Sequence, residues 1–196
     1  MLADIVAACS PRGLIDIGTG TGRMLELLAP LVANALGIDP SREMLAVARV
    51  NIEQAGLANC LVRLGDMYQL PLPDASFDAA IIHQVLHYAD RPAAAVAEAA
   101  RVLRPGGSLT MVDFAPHALE FLRDEHAHRR LGFADNDIAA WCRAAGLEPG
   151  PPHRLSGDPL TVVIWTARRR PATADPTPAA VRSAAASTHA EPALQG

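Results

Sequence analysis

The sequence predicts an α/β fold in which helices cover a mostly parallel sheet. Short runs rich in β-branched residues alternate with longer stretches of helical period, which is the pattern of successive βα units. These short runs are apolar throughout, as expected of parallel strands buried on both faces. A glycine-rich turn, residues 18–22, joins the first run to the first helix.

The first half of the chain holds four predicted strands, at residues 14–17, 35–38, 60–64 and 78–82. The helix after the second strand places Leu45, Ala48, Ile52 and Ala55 on one face, and Gly56 ends it. The third strand stops at Asp66 and the fourth at His83, so polar side chains follow the ends of apolar strands.

A further helix is predicted to begin at Pro92, with Asp90 as its cap. Its buried stripe is formed by Val96, Ala99, Ala100 and Leu103. The segment 104–107 has Pro followed by Gly, which favours a type II turn into a fifth strand at residues 109–114.

The last third is less regular. Residues 117–132 mix charged and apolar positions, which fits either an amphipathic cover over a cavity or an ordinary surface helix. Asp135 is expected to cap a helix at residues 138–145, and residues 148–159 are predicted to be a loop. A strand at residues 161–166 follows, and the pattern alone leaves its direction open.

Composition narrows the function classes. The 196 residues carry a formal net charge of −4, which disfavours a nucleic-acid binder. No run of 18 apolar residues and no signal peptide is found, so we expect a cytoplasmic protein that does not cross a membrane. Residues 1–170 are predicted to form one domain, and the Pro/Ala-rich residues 171–196 a disordered tail.

The three cysteines are widely separated. Cys9, Cys60 and Cys142 fit neither a disulfide framework nor a zinc site, so we expect reduced thiols and no metal.

The glycine turn and three carboxylates form a candidate binding site. Glycines let the backbone approach a ligand closely, but Asp16, two residues before Gly18, would repel a pyrophosphate and favour a cation. Asp39 ends the second strand, where a carboxylate can accept hydrogen bonds from ribose hydroxyls, and Asp66 ends the third. The set suits a cationic nucleoside without phosphate, and S-adenosylmethionine is such a molecule.

Over about residues 12–167 the chain resembles the class I, Rossmann-like S-adenosylmethionine-dependent methyltransferases. Four of their motifs occur in order: the acidic glycine turn 16–22, Asp39, the Gly65-Asp66 pair and the turn 103–107. The resemblance implies a doubly wound sheet of seven strands whose last strand is antiparallel. It also implies S-adenosylmethionine as the cofactor.

The resemblance assigns a role to each matching position. It implies that the glycine turn admits the methionine part of the cofactor, that Asp16 lies by its amino group, and that Asp39 holds the ribose. Adenine would be met by side chains after the second and third strands, and the methyl group by the backbone after the fourth. The implied cofactor-binding residues are Asp16, Gly18, Thr19, Gly20, Gly22, Asp39, Pro40, Met44, Asp66, Met67 and His83.

Methyl transfer is an in-line displacement that depends mainly on alignment, so a base is optional. A histidine near neutral pKa could take a proton from a hydroxyl or protonated amine. Among the histidines that follow predicted strand ends, His87 is the candidate catalytic residue. The fourth strand lacks an N/D-P-P-Y motif, which favours a small-molecule acceptor. Within the family the chain is most similar to domains fused behind ArsR-type regulators.

Three other functions stay open. A non-catalytic module that binds S-adenosylmethionine or its demethylated product fits the same cofactor residues. A nicotinamide-dependent dehydrogenase is disfavoured by Asp16, and an arsenite methyltransferase by the scattered cysteines.

Many relatives carry thirty or more residues before the first strand, where this chain has only residues 1–12. We therefore expect a shortened N-terminal cap. Either a second copy or a partner chain supplies the missing lid, or the domain is incomplete.

Overall fold

A computed structural model describes residues 1–171 of the chain. The helices are α1 (Leu2–Ala7), α2 (Arg23–Leu28), α3 (Arg42–Gln54), α4 (Pro92–Val102), α5 (Phe121–His126) and α6 (Asp135–Ala144). The strands are β1 (Gly13–Ile17), β2 (Asn34–Asp39), β3 (Cys60–Leu64), β4 (Phe77–His83), β5 (Leu103–Phe114), β6 (Leu147–Pro149), β7 (His153–Leu155) and β8 (Val162–Arg169).

The sheet is doubly wound, and its strand order is β3-β2-β1-β4-β5-β8-β6, with β7 paired to β8 beside this path. The strands β1 to β5 pair in parallel, whereas β8 runs antiparallel to β5 from Ser108↔Arg168 to Phe114↔Val162. The mostly parallel sheet and its antiparallel last strand are therefore confirmed, but the described residues form eight strands instead of the seven predicted, because the short β7 also pairs with β8. Pairing with β5 determines the direction of β8, which the sequence pattern left open.

Apolar side chains on the two faces of the sheet form two core clusters. Alternate residues of β1 divide between them, with Ile15 and Ile17 in one cluster and Leu14 in the other. The first cluster includes buried side chains of α4 and α6, and the second includes those of α1 and α2. Helices on both faces explain why the central strands are apolar throughout.

The strand β3 is the exception. It forms the edge of the sheet next to β2, and Leu61 is 61% exposed. The prediction that every strand of the first half is buried is wrong here, because a strand's position at the edge depends on tertiary pairing.

Two predicted helix caps are also wrong. The residue before α4 is Arg91, which makes no capping hydrogen bond, and Asp90 instead pairs with Arg129 across the surface. The helix α6 begins at Asp135 itself, and its carboxylate accepts hydrogen bonds from the Trp165 indole and from Arg154, both at 2.8 Å. In both cases the carboxylate binds side chains from distant parts of the chain and does not cap the helix.

Several boundaries differ from the predicted ones. Ala55 is exposed because α3 ends at Gln54, whereas the other three residues of that predicted stripe are buried. Leu103 is buried but begins β5. The predicted loop 148–159 contains most of β6 and all of β7, two strands too short to show an alternating pattern.

The predicted tail lies outside the described residues apart from Pro171. Among residues 1–171, no helix has both the length and the apolar character needed to cross a bilayer.

Candidate active site

A cavity of about 490 Å³ opens at the carboxyl ends of β1, β2 and β4. The chain leaves β1 toward β2 on one side while β4 lies on the other, so the strand order reverses here. Ligands of doubly wound sheets bind at such a switch point, and the volume is typical of a small-molecule site. The lining residues are Gly18, Thr19, Gly20, Thr21, Asp39, Pro40, Ser41, Met44, Met67, His83, Gln84, Val85 and Tyr88.

The glycine turn lies against the neighbouring strands. The N–H groups of Gly18 and Thr19 donate to the carbonyl of Ile38 in β2, at 2.8 and 3.0 Å. Gly18 has a φ of +77°, and a Cβ there would lie 2.5 Å from a methyl group of Val85. A side chain at this position would therefore clash with the wall of the cavity, which explains the requirement for glycine.

Asp39 is a buried carboxylate at the end of β2. Its Oδ2 accepts a hydrogen bond from the N–H of Gly20 at 2.9 Å, and its Oδ1 accepts from that of Ser41 at 2.8 Å. Ser41, whose hydroxyl accepts from Met44 N at 3.1 Å, is the cap of α3. Asp39 is therefore not a helix cap, and a carboxylate has further lone pairs to offer a ligand in the cavity.

Asp16 lies in β1 just before the turn and is almost completely buried. The Thr19 hydroxyl donates to its Oδ2 at 2.6 Å, whereas its Oδ1 has no partner within the described residues. Burial raises the pKa of Asp16 to about 7, the Thr19 hydrogen bond opposes this rise, and the nearby Asp39 adds to it. A buried carboxylate with a free oxygen beside a cavity is the complement of a cationic group.

The lining contains no arginine, and lysine is absent from the whole chain. A phosphate group would therefore find no permanently cationic side chain in the lining to offset the negative charge of the carboxylates. The donor set fits a phosphate-free cationic nucleoside such as S-adenosylmethionine better than it fits a dinucleotide.

The apolar part of the cavity wall comes from Pro40, Met44 and Met67. Met44 is 46% exposed and belongs to neither core cluster. The alternative that Met44 is an ordinary core residue is therefore wrong.

Three of the predicted cofactor-binding residues, Asp16, Gly22 and Asp66, do not line the cavity, although Asp16 is hydrogen-bonded to Thr19, which does. Gly22 precedes α2 with a φ of +82°, and a Cβ there would lie 3.3 Å from that of Ala48 in α3. Its small size thus serves helix packing. Asp66 is exposed, and its Oδ1 accepts from the N–H of Tyr68 at 2.9 Å.

The segment after β4 supplies lining residues that the sequence reasoning missed, namely Gln84, Val85 and Tyr88. Gln84 has a φ of +56°, a left-handed conformation that costs free energy for a residue with a side chain. The cofactor-binding positions that the resemblance implies end at His83. The only sequence feature that could have indicated these lining residues is their position directly after a predicted strand.

The candidate base His87 is buried behind Tyr88 and does not line the cavity. Its Nδ1 lies 2.9 Å from Oδ1 of Asp113, and its ring stacks on that of His128 at 4.1 Å between centroids. Burial lowers the pKa of His83, which does line the cavity, and that of His128. His87 is thus a partnered residue of the interior.

A methyltransferase domain model matches residues 15–111. An uncharacterized 37.1 kDa protein in transposon TN4556 of Streptomyces fradiae is 42% identical over 57% of this chain and 32% of its own length. An uncharacterized methyltransferase of Mycobacterium tuberculosis is 38% identical over 56% of this chain and 42% of its own length. The chain thus spans less than half the length of these relatives.

The crystal structure of YcgJ from Bacillus subtilis has the same fold, with a TM-score of 0.73 at 19% identity over 86% of this chain and 97% of that one. The chain therefore has the same fold as YcgJ, and its residues 15–111 are similar to the methyltransferase domain family.

Proposed function

We propose that this protein transfers a methyl group from S-adenosylmethionine to a small-molecule acceptor. The observation that carries the proposal is Asp16, a buried carboxylate with an unpartnered oxygen, which is hydrogen-bonded to Thr19 in the lining of a cavity that holds Asp39 and no arginine. This arrangement attracts a cation and disfavours phosphate, which supports a sulfonium nucleoside over a nicotinamide dinucleotide.

The chain offers a distinct group for each part of this cofactor. Asp39 is placed to accept hydrogen bonds from ribose hydroxyls, and Asp16 to complement the amino group of the methionine part. The backbone from Gly18 to Gly20 gives the room this part needs. Pro40, Met44 and Met67 provide an apolar surface for the adenine.

S-adenosylmethionine supplies a methyl group activated by a positively charged sulfur. The protein's main task is then alignment, which contributes up to about 7–11 kcal/mol in favourable reactions. The wall formed by His83, Gln84 and Tyr88 lies opposite the Asp39 side of the cavity in the strand order, so we assign the acceptor to this wall. His87, directly behind it, is the proposed proton acceptor.

Two relatives have more specific names. An arsenite methyltransferase of Aquipseudomonas alcaligenes is 34% identical over 60% of this chain, and a ubiquinone biosynthesis O-methyltransferase of Ralstonia nicotianae is 29% identical over 79%. We do not propose arsenite as the acceptor, because Cys60 and Cys142 are buried in separate core clusters and Cys9 lies outside both. The likeness to domains fused to ArsR-type regulators remains part of the proposal of a small-molecule acceptor.

Calorimetric titration of the full chain with S-adenosylmethionine, its demethylated product and NAD tests the cofactor. We expect binding of the first two and none of NAD. Tighter binding of NAD would overturn the proposal. Release of demethylated product with an acceptor panel then tests catalysis, whereas tight binding without turnover on any acceptor would favour the non-catalytic sensor.

A further inference from the structure

The side chains of His87 and Asp113 form a buried pair at the carboxyl ends of β4 and β5. Nδ1 of His87 lies 2.9 Å from Oδ1 of Asp113, and the backbone N–H of His87 donates to Oδ2 at 3.2 Å. The N–H of Phe114 donates to Oδ1 at 2.9 Å. The two side chains are 2% and 0% exposed, and within residues 1–171 no arginine pairs with this carboxylate. A buried carboxylate whose ionisable partner is an imidazole is costly to keep, which suggests a use beyond packing.

The pair determines which imidazole nitrogen is basic. A carboxylate only accepts hydrogen bonds, so the neutral ring of His87 carries its proton on Nδ1. The lone pair is then on Nε2, which has no hydrogen-bond partner within the described residues. Asp113 also stabilises the imidazolium that forms when Nε2 accepts a proton.

His87 does not itself line the cavity, but its ring packs against one that does, and its burial limits access of water. Tyr88, whose ring centroid lies 4.1 Å from that of His87, lines the cavity. On other sides, the rings of His128 and Phe114 lie at 4.1 and 5.5 Å. The carbonyl of His87 accepts hydrogen bonds from Arg129 and Arg130, so the segment after α5 is held over this residue.

Resting on the proposed methyl transfer, we propose that His87 accepts a proton from a neutral hydroxyl acceptor of the phenol or enol class, with Asp113 as its positioning residue. The acceptor oxygen forms the bond to the methyl carbon, the carbon–sulfur bond breaks, and its electron pair stays on sulfur. The hydroxyl proton moves to Nε2 of His87 and is later released to water.

A hydroxyl acceptor needs a base such as the His87–Asp113 pair more than a thiol or an amine does. A phenol with a pKa of about 10 is mostly neutral at physiological pH and is a poor nucleophile until it loses its proton. A thiol ionises more readily, and a neutral amine attacks through its own lone pair. The ring of Tyr88, which lines the cavity, also offers a flat surface to an unsaturated acceptor.

The tautomer can be measured without knowing the natural acceptor. Ring ¹⁵N spectra of the full chain at about pH 8, with the His87 signals assigned from His87→Gln, should show a protonated Nδ1 and a bare Nε2. Asp113→Asn should change this tautomer balance, whereas His126→Gln, which changes an exposed histidine, should not. A wild-type ring protonated on Nε2 would overturn the proposal even if Asp113→Asn fails to fold.

The acceptor class is tested with paired probes at about pH 8.5, where phenol and catechol stay largely protonated but 4-nitrophenol is ionised. His87→Gln should lower turnover of the protonated phenols by about 100- to 10,000-fold and change that of 4-nitrophenolate little. His126→Gln, which changes an exposed histidine, should leave the turnover of both kinds of probe unchanged.

Different experimental outcomes would overturn this inference and the proposed function. Turnover of thiophenol or aniline but of no hydroxyl probe, or equal losses for phenol and 4-nitrophenolate in His87→Gln, would overturn the inference. No turnover of any hydroxyl probe with S-adenosylmethionine bound would also count against it. If the wild-type chain does not bind S-adenosylmethionine, the proposed function itself is overturned.

Discussion

The hydroxyl of Thr19 donates a 2.6 Å hydrogen bond to Oδ2 of Asp16 beneath the glycine turn. No second partner within the described residues reaches the other oxygen of this buried carboxylate. Thr19 itself lines the cavity, so the hydrogen bond links the interior of β1 to the ligand side of the turn. Asp16 is thus costly to ionise in the free protein and gains a partner when a cationic ligand binds.

This relationship predicts that cofactor affinity depends on pH. The ionised form of Asp16 attracts the ammonium group, and burial holds its pKa at about 7 in the free protein. Affinity for S-adenosylmethionine should therefore rise as pH increases from about 5.5 to about 7 and then level off. Calorimetry in buffers of different ionisation enthalpy should also show proton release on binding below this pKa. A flat profile would contradict the assigned role of Asp16.

Asp16→Asn should separate stability from binding. The pKa of Asp16 rises from 3.8 to about 7 on folding, so the stability associated with its protonated form is present below about pH 4 and is lost as pH rises through 7. Asparagine does not ionise, so the variant keeps this stability at high pH, and its amide oxygen can still accept the hydrogen bond from Thr19. The ligand-free variant should therefore be more stable than the wild type at pH 8, by up to about 4 kcal/mol, and should bind S-adenosylmethionine poorly.

Thermal melts at about pH 4 and pH 8 check this prediction. The stability difference between variant and wild type should be small at the lower pH and large at the higher one. A variant that is less stable than the wild type at both values would show that the carboxylate is structural.

Asp39→Ala should weaken S-adenosylmethionine binding by about 10- to 150-fold, which corresponds to one or two lost charge-assisted hydrogen bonds. The backbone N–H groups of Gly20 and Ser41 would lose their acceptor, so a modest drop in melting temperature is expected as well. Glu53→Ala, which removes an exposed carboxylate outside the cavity lining, is the matched control. Equal affinities for the two variants would remove Asp39 from the site.

Gln84→Gly and Ala127→Gly form a second matched pair. Both residues have a φ of +56°, but only Gln84 lines the cavity. Glycine adopts this conformation without strain, so each variant should keep or gain stability, by up to about 1 kcal/mol. Only Gln84→Gly should lower cofactor affinity or turnover. If affinity and turnover are unchanged in both variants, the side chain of Gln84 has no role at the site.

Much of the cofactor site could be predicted from the sequence because its parts are local. The turn Gly18–Gly20 must follow a strand and precede a helix, and both requirements are visible in the order of residues. Asp39 follows its strand in the same way, and the structure places it against Gly20. The sequence could not show that Gly22 and Asp66 lie outside the cavity lining. The position of Gly22 depends on its packing against Ala48, and that of Asp66 on the turn at Tyr68.

Two side-chain pairs of the structure join distant parts of the chain. The contact of His87 with Asp113 spans 26 residues, and that of Asp90 with Arg129 spans 39. No local pattern indicates such partners, so Asp90 and Asp135 were predicted as helix caps although tertiary contacts hold them.

By itself the sequence determined the alternation of strands and helices, the glycine turn and the carboxylate at the end of β2, because periodicity and turn chemistry act over a few residues. Only the tertiary structure decided the direction of β8, the exposure of β3 and the partner of His87. These features depend on which strands pair and which segments pack together, and the hydrogen bonds and buried surface that select such pairings form only when the whole sheet is assembled.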